Sequence, residues 1–373
     1  MTHRVETIPL PPQTPGTQRS LVVHRFGQPG ARPKVYFQAA LHANEVPGIV
    51  VLDALLRRLA PLDAAGEIPG EVVVVPYANP IGLGDHVLGV PIGRYGLDSG
   101  ANFNRGFLDL GPLAASRLDG RLRGDVSDIT TIRAAFLAEI AARAPRTELE
   151  ALRLTLLRLA IDADRVFDLH TEEDAMFAAV LAPWTVGQAR ELVADVAPEL
   201  IFYADYPPLF DTACSRPWHM LRQHFAGRAA IPQGCLSVTL EMRGVASIDA
   251  AQVERDADGL LAMLRRCGAV AGDAGAQPEL AAEPTRFEGV EFVRAKGTGV
   301  VVYHAELGER IAQGQVIAEI VDPAAAEPRH SRTQVKSGTD GVLFCRRHTM
   351  LVRPDDVVAK IAGPVPLVDP KHY

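Results

Sequence analysis

A short apolar run at residues 35–41 ends directly in two polar side chains, His42 and Glu45. The run predicts a buried strand, and the pair lies where the chain would leave that strand and enter a helix. An imidazole and a carboxylate three positions apart can face one ion at such a turn, and zinc accepts both ligand types. A catalytic zinc takes three protein ligands, and His170 follows a second strand-like run. Each residue alone is a common polar group, but the set of three predicts one zinc ion per chain.

Predicted strands and helices alternate along the first two thirds of the chain. The strands are predicted at residues 20–25, 35–41, 72–75, 166–169, 178–181 and 236–240, and the helices at 47–59, 129–159 and 251–267. Such alternation favours a layered α/β domain. Residues 1–18 are predicted to form an extended lead-in, and residues 82–128, which show no clear period, are predicted to form long loops.

Further polar residues follow predicted strands or lie in the glycine-rich segment between them. Asn104 and Arg105 stand in the motif Asn-Phe-Asn-Arg-Gly, Arg94 stands in Gly-Arg-Tyr-Gly, and Glu241 ends an apolar run. A guanidinium can bind a carboxylate through two parallel hydrogen bonds. A carboxylate at a strand end can move a proton. For each residue alone, the alternative is an ordinary ion pair.

The order of these motifs, His-x-x-Glu, Arg, Asn-Arg, His and Glu, resembles that of the zinc carboxypeptidase superfamily. The chain looks most like the succinylglutamate desuccinylase/aspartoacylase branch, in which Asn-Pro precedes a Leu-Asn-Arg-like motif. Here Asn79-Pro80 precedes Phe103-Asn104-Arg105. The resemblance covers residues 20–270, roughly, in motif order.

This resemblance implies a zinc-dependent amidohydrolase that removes an acyl group from an N-acyl amino acid or related amine through a zinc-activated water. The implied metal ligands are His42, Glu45 and His170, the catalytic residues Glu241 and Arg94, and the substrate-binding residues Asn104 and Arg105. Glu241 would be the general base, and Arg94 would stabilise the oxyanion. Two alternatives remain open: a zinc metallocarboxypeptidase that cleaves a C-terminal residue, and a non-catalytic binding or carrier protein that uses its C-terminal domain.

The character of the sequence changes after a linker-like segment at residues 268–285. Short strands and glycine turns beyond it resemble the barrel-sandwich hybrid fold of biotinyl and lipoyl carriers. We therefore predict a zinc carboxypeptidase-like catalytic domain at residues 1–280, with a mixed sheet flanked by helices, and an all-β barrel-sandwich-like domain at 286–373. Carriers modify a Lys on the hairpin between the two halves, but here Lys336 lies in the following strand. A structural or site-covering role is therefore favoured.

Composition excludes several classes of protein. The formal net charge of −7, without a basic patch, argues against nucleic acid as a partner. Four scattered cysteines form no C-x-x-C motif, so neither a disulfide framework nor a thiolate zinc site is expected. No apolar stretch reaches the ~18 residues of a membrane span, and no secretory signal is visible. We expect a cytoplasmic enzyme with a small-molecule substrate, and a homo-oligomer remains open.

Two neighbours of the candidate residues have possible supporting contacts. Asp168 lies two positions before His170 and would share its face of a strand, where it can orient the imidazole. Arg243 lies two positions after Glu241 and is a candidate ion-pair partner for it. No role is assigned to three residues in the stretch where relatives place a substrate-side Tyr and Arg: Tyr203, Tyr206 and Arg228.

Overall fold

The computed structural model of the protein describes residues 2–205 and 209–367. The helices are α1 (Pro47–Ala64), α2 (Pro80–Leu83), α3 (Leu110–Leu118), α4 (Asp128–Ala141), α5 (Glu148–Ala160), α6 (Ala189–Val193), α7 (Phe210–His224) and α8 (Ala250–Arg266). The strands of the first part are β1 (Arg4–Pro9), β2 (Ser20–Phe26), β3 (Lys34–Ala39), β4 (Glu71–Val75), β5 (His86–Val87), β6 (Val90–Pro91), β7 (Arg165–Glu172), β8 (Asp174–Ala175), β9 (Phe177–Leu181), β10 (Leu200–Tyr203), β11 (Leu236–Gly244) and β12 (Thr285–Arg286). Those of the second part are β13 (Val290–Arg294), β14 (Gly299–Tyr303), β15 (Arg310–Ile311), β16 (Val316–Val321), β17 (Arg332–Lys336), β18 (Gly341–Arg346), β19 (Leu351–Val352) and β20 (Val357–Ala362).

A nine-stranded mixed sheet organises the first part of the chain, in the order β1-β2-β4-β3-β7-β11-β9-β10-β12. Its central strands β4, β3, β7 and β11 are parallel. Every residue of β3 and β4 is buried, as expected for strands covered on both faces. One apolar cluster packs helices α3, α4, α5 and α7 on one face, and another packs α1, α6 and α8 on the other. The predicted α/β class with a mixed sheet is confirmed.

The single helix predicted at residues 129–159 is wrong, because the structure divides it into α4 and α5. Pro145 lies between the two helices, and a proline disfavours helical geometry at the residue before it. The Thr147 side chain then accepts a hydrogen bond from the Glu150 N–H at 3.1 Å and caps the start of α5. The composition of the segment does not indicate this break, since both helices are rich in Ala, Leu and Arg.

Other elements were missed where apolar patterning is weak. The extended lead-in contains β1, which pairs antiparallel with β2 at the edge of the sheet. The segment predicted as long loops contains α2, α3 and the small hairpin β5–β6. Strand β10 and helix α7 were not predicted either. Edge strands and short helices bury few residues, so their sequences carry little periodic signal.

The C-terminal part forms two sheets around a core of its own. One sheet has the order β13-β20-β18-β15 and the other β17-β16-β14-β19. The predicted additional β domain is therefore confirmed, and Lys336 ends strand β17. Strand β8 pairs with β18, so the first part of the chain contributes to a C-terminal sheet. The boundary between residues 280 and 286 stays a prediction, and β12 at this point still pairs with β10.

Two simpler expectations concern cysteines and membranes. All four cysteines are free thiols, as their scattered positions indicated. No helix in residues 2–205 or 209–367 has the length and apolar character needed to cross a membrane.

Candidate metal and active site

The candidate metal ligands lie just beyond the carboxyl end of β3 and within β7, its parallel neighbour. After β3 ends, Ala40 adopts a φ of 55°, which turns the chain away from the sheet direction. The Asn79 side chain donates a hydrogen bond of 2.9 Å to the Leu41 carbonyl and fixes this exit. Helix α1 then begins at Pro47, so His42 and Glu45 occupy a short turn between strand and helix. Asn79 of the Asn-Pro motif therefore fixes the path of the chain between β3 and the candidate ligands.

His42, Glu45 and His170 are all buried and present ligand atoms that lie within 4.8 Å of one another. The Glu45 carboxylate is placed between the two imidazoles. Its Oε1 lies 3.0 Å from His42 Nδ1, and its Oε2 lies 2.8 Å from His170 Nδ1. The Thr171 backbone N–H also donates to Oε2 at 3.1 Å. Two imidazoles and one carboxylate match the donor set of a catalytic zinc site.

Polar neighbours orient both imidazoles. The Asn102 side-chain oxygen lies 2.9 Å from His42 Nε2 and also accepts the Asn104 backbone N–H at 2.9 Å. An amide oxygen only accepts, so His42 Nε2 carries the proton and Nδ1 keeps its lone pair for an ion. Asp168 Oδ2 lies 2.9 Å from His170 Nε2, the contact expected from their shared strand face. Such carboxylate or carbonyl partners are typical of metal-binding histidines.

The charges of the cluster favour a bound cation. Burial alone would raise the pKa of Glu45, but His42 and His170 outweigh burial and lower this pKa well below its usual range. Burial also lowers the pKa of His42, which favours the neutral imidazole. Burial would lower the pKa of His170 as well, yet Asp168 and Glu45 raise it well above its usual value. The two buried carboxylates thus attract positive charge, and the ligands present fit a divalent metal.

Glu241 lies near the end of β11, directly opposite His170 in the strand register. Its Oε2 is buried and has no hydrogen-bond partner among the described residues. Burial raises the pKa of Glu241 to about 8, and the nearby Glu172 contributes further. The unpaired oxygen beside the metal-ligand cluster is the placement that a proton-transfer group requires.

All seven residues predicted from the sequence line one cavity: His42, Glu45, Arg94, Asn104, Arg105, His170 and Glu241. Arg94 Nη1 lies 2.9 Å from Glu45 Oε1. Its loop approaches the metal-ligand turn closely, because a Cβ added at Gly93 would lie 2.2 Å from the Asn44 nitrogen. Arg105 is exposed and donates to the Asn104 carbonyl at 2.9 Å.

The C-terminal domain forms part of the cavity wall. Phe287, Phe292, Phe344 and Lys360 all reach the cavity from that side. The Lys360 ammonium binds the Glu172 carboxylate, two residues beyond His170. The domain therefore contributes both apolar rings and a charge to the site.

The other residues considered in the sequence analysis have different partners or positions. Arg243 binds Asp256 at 2.9 Å, so the expected pairing with Glu241 is wrong. Arg228 binds the exposed Asp119, away from the cavity. Tyr203 ends β10, and Tyr206 lies outside the described residues.

Sequence patterns did not identify three cavity or supporting residues: Asn102, Asp211 and Lys360. For Asn102 a signal was present, because it precedes Asn104 by two positions within the same motif. Asp211 and Lys360 carry no such signal, since each is surrounded by sequence typical of its own helix or strand.

We expect Lys360→Met to lower the free energy of unfolding by about 1–3 kcal/mol, because it leaves the half-buried Glu172 without its cation, close to Glu241. Turnover should fall as well. Urea denaturation measures the first effect. Lys336→Met, which removes an exposed lysine of the same domain, should change stability by less than about 0.5 kcal/mol. Equal effects of the two substitutions would show that the Lys360–Glu172 contact contributes nothing.

Comparisons with known proteins agree with this architecture. The family model described as "Succinylglutamate desuccinylase/Aspartoacylase catalytic domain" matches residues 31–123. The N-alpha-acetyl-L-2,4-diaminobutyric acid deacetylase of Halomonas elongata is 23% identical over 336 residues, which cover 89% of this chain and 83% of that protein. Two solved structures from the same family, from Shewanella frigidimarina and Shewanella amazonensis, share this fold, each with a TM-score of 0.84. They are 20% and 24% identical, and the matches cover 97% and 96% of this chain and 97% and 98% of theirs.

The protein therefore shares an α/β fold with an additional C-terminal β domain with solved structures named for deacylases. Residues 31–123 are thus similar to the succinylglutamate desuccinylase/aspartoacylase catalytic domain, and the chain as a whole shares the fold of structures named for that family.

Proposed function

We propose that the protein is a zinc-dependent amidohydrolase that removes an acyl group from an N-acyl amino acid or a related amine. The observation that supports this most strongly is the buried His42–Glu45–His170 cluster with the unpaired Glu241 carboxylate opposite His170. A zinc ion held by the three ligands would polarise the acyl carbonyl and lower the pKa of a water molecule to about 7.

In this proposal the four candidate residues that are not metal ligands have defined roles. Glu241 takes a proton from the attacking water through its unpaired oxygen and gives it to the leaving nitrogen. Arg94, which reaches the metal ligand Glu45, stabilises the negative charge that develops on the acyl oxygen. Arg105 and Asn104 orient the carboxylate of the amino acid, for which a guanidinium is well suited.

Two observations support a small acylated substrate. The deacetylase relative is named for an N-acetylated amino acid, and the C-terminal domain covers one side of the cavity. We infer that this cover restricts access of peptides to the metal. A metallocarboxypeptidase, the nearest alternative, would need an approach wide enough for a chain. A carrier function lacks support because the hairpin between β16 and β17 carries no Lys and Lys336 lies outside it.

The direct test is to assay the purified protein, with and without added zinc, against a panel of N-acyl amino acids and short peptides. We expect metal-dependent release of free amine from the N-acyl compounds and little cleavage of peptides. Preferred cleavage of peptides would support the carboxypeptidase instead. Absence of hydrolysis from both groups with a full complement of metal would contradict both enzymatic proposals.

Arg105→Ala should mainly impair substrates that carry a free carboxylate beside the scissile amide, because the lost guanidinium bound that group. The loss in kcat/KM should be about 10–100-fold, the effect of one charged hydrogen-bonded contact. An amide-capped analogue should be affected much less. Arg228→Ala, which removes another exposed arginine away from the cavity, is the matched control. Equal losses on both analogues would show that Arg105 supports the fold or the oxyanion.

A further inference from the structure

The cavity that contains the candidate metal ligands also has an apolar side that the proposed chemistry does not use. We call this side the apolar lobe, and it is formed by six side chains: Ala178, Val180, Phe202, Phe287, Phe292 and Phe344. Four of the six are phenylalanines. Small-molecule sites usually combine many apolar and aromatic side chains with a few polar groups that fix the orientation of the ligand. The apolar lobe is therefore a candidate for binding one part of the substrate.

The strand register places the apolar lobe beside Glu241. Across the sheet, Glu241 on β11 pairs with His170 on β7 on one side and with Ala178 on β9 on the other. Val180, two positions after Ala178, pairs with Phe202 on β10. Paired residues project from the same face of a sheet, and neighbouring strands lie about 4.8 Å apart. The wall therefore changes from a candidate metal ligand to apolar side chains within two strands, with the Glu241 carboxylate at the boundary.

Aromatic rings of the C-terminal domain complete the apolar lobe. The centroid of the Phe202 ring lies 5.5 Å from that of Phe287 and 5.2 Å from that of Phe344. The Phe287 ring in turn lies 6.0 Å from the Phe292 ring. Rings at these separations are in contact with one another. The four phenylalanines thus form one continuous aromatic surface that spans both parts of the chain.

Packing of the two parts of the chain against each other is the alternative explanation for these residues. It accounts for Phe202 and Phe344, which are 1% and 3% exposed and belong to one buried cluster. It does not account for Val180, Phe287 and Phe292, which stay partly exposed and line the cavity. Covering such apolar surface with an apolar ligand group is favourable, because it removes that surface from water.

We propose that the apolar lobe binds a bulky apolar group of the substrate, so that the enzyme prefers N-acyl amino acids with an aromatic or branched aliphatic substituent beside the scissile amide. This inference rests on the proposed deacylase function and specifies its substrate class. In that function the amide lies beside Glu241, and the lobe begins one strand further on. Either the amino-acid side chain or the acyl chain can extend into it. A charged group would lose its hydration against these rings, which disfavours acidic substituents there.

The test varies each half of the substrate separately on the metal-loaded protein. One series compares the N-acetyl derivatives of alanine, leucine, phenylalanine and glutamate, and the other compares acetyl, hexanoyl, phenylacetyl and succinyl groups on glycine. In at least one series we expect kcat/KM to rise by at least about 10-fold from the smallest to the aromatic member, since several carbon atoms become buried. The series that responds identifies the half that occupies the lobe. A flat response in both series, or a preference for the glutamate or succinyl member, would overturn the proposal and leave the deacylase function intact.

Phe292→Ala removes one ring of the apolar lobe and none of the candidate metal ligands. It should reduce the preference for the aromatic member by about 10-fold, while kcat/KM for the smallest member changes much less. Phe292→Leu, which keeps most of the apolar volume, should retain most of the preference. Leu351→Ala, at an exposed apolar position of the same domain, is the matched control and should behave like the wild type. An unchanged preference in Phe292→Ala would contradict the assignment of the lobe.

A second measurement does not depend on turnover. Calorimetry should show that the wild type binds phenylalanine more tightly than alanine, or phenylacetate more tightly than acetate, with the more negative heat-capacity change that marks apolar burial. Equal affinities in both comparisons would overturn the proposal even if the protein deacylates its substrates. Failure to hydrolyse any N-acyl compound, with these differences in binding present, would contradict the deacylase function and support the lobe. If Phe292→Ala does not fold, the wild-type series and the binding comparison decide.

Discussion

Glu241→Gln is expected to lower turnover by on the order of 10²–10⁴-fold, the usual contribution of a positioned general acid–base group. Metal content should stay close to that of the wild type, because Glu241 is not one of the three proposed ligand residues. The substitution breaks no hydrogen bond at Oε2, which has no partner among the described residues. It also removes a carboxylate from the vicinity of Glu172 and Glu45, so stability should be kept or slightly increased.

Three measurements on one preparation separate these effects: kcat on a hydrolysed N-acyl amino acid, elemental analysis and the thermal midpoint. Glu279→Gln, at an exposed site outside the cavity, is the matched control and should resemble the wild type in all three. If Glu241→Gln retains near wild-type turnover, Glu241 is a structural carboxylate and another group moves the proton.

His170→Ala should lose nearly all bound metal and nearly all activity, because it removes one of the three proposed ligands. It should also destabilise the metal-free protein by about 3–5 kcal/mol, the range observed when one member of a buried charged pair is removed. The cause is that Glu45 and Asp168 both lie within 3 Å of the imidazole and would be left buried without it. The stability loss is thus expected in the presence of a chelator, where metal binding plays no part.

His86→Ala, at an exposed position in β5, provides the comparison for both readouts. Elemental analysis decides whether the site exists. If wild-type protein holds no divalent metal after purification and reconstitution, and its metal content equals that of His170→Ala, the metal site is ruled out.

Much of the candidate site was predictable because its signals are local. A strand that is buried on both faces must be apolar, so the polar residues that follow it are conspicuous. His42 and Glu45 follow β3 in this way, and the apolar run that contains Val166 and Leu169 leads directly into His170. Proximity of the two segments was also expected, since strand ends in a parallel sheet meet at one edge. The pairing of β3 with β7 brings Glu45 within 2.8 Å of His170, 125 positions away.

Local signals failed where a contact depends on a backbone irregularity or on the packing of distant segments. Arg243 shares a strand face with Glu241 in sequence terms, yet its φ of 72° and a bulge after Glu241 direct it to Asp256 on α8. The division of α4 from α5 likewise depends on a proline and a capping threonine within an otherwise helical composition.

The sequence by itself determined the α/β class, the additional β domain and the residues that converge on the metal-ligand cluster. The α/β class follows from hydrophobic periodicity and the three candidate ligands from the few residue types that bind zinc, whereas the β domain and the other candidate residues were implied by the family resemblance. Only the tertiary structure decided that Lys360 reaches Glu172 from the C-terminal domain and that Asp211 lines the same cavity as the candidate ligands. The physical reason is that burial and ion pairing of a charged side chain depend on the packing of distant segments, which local sequence does not encode.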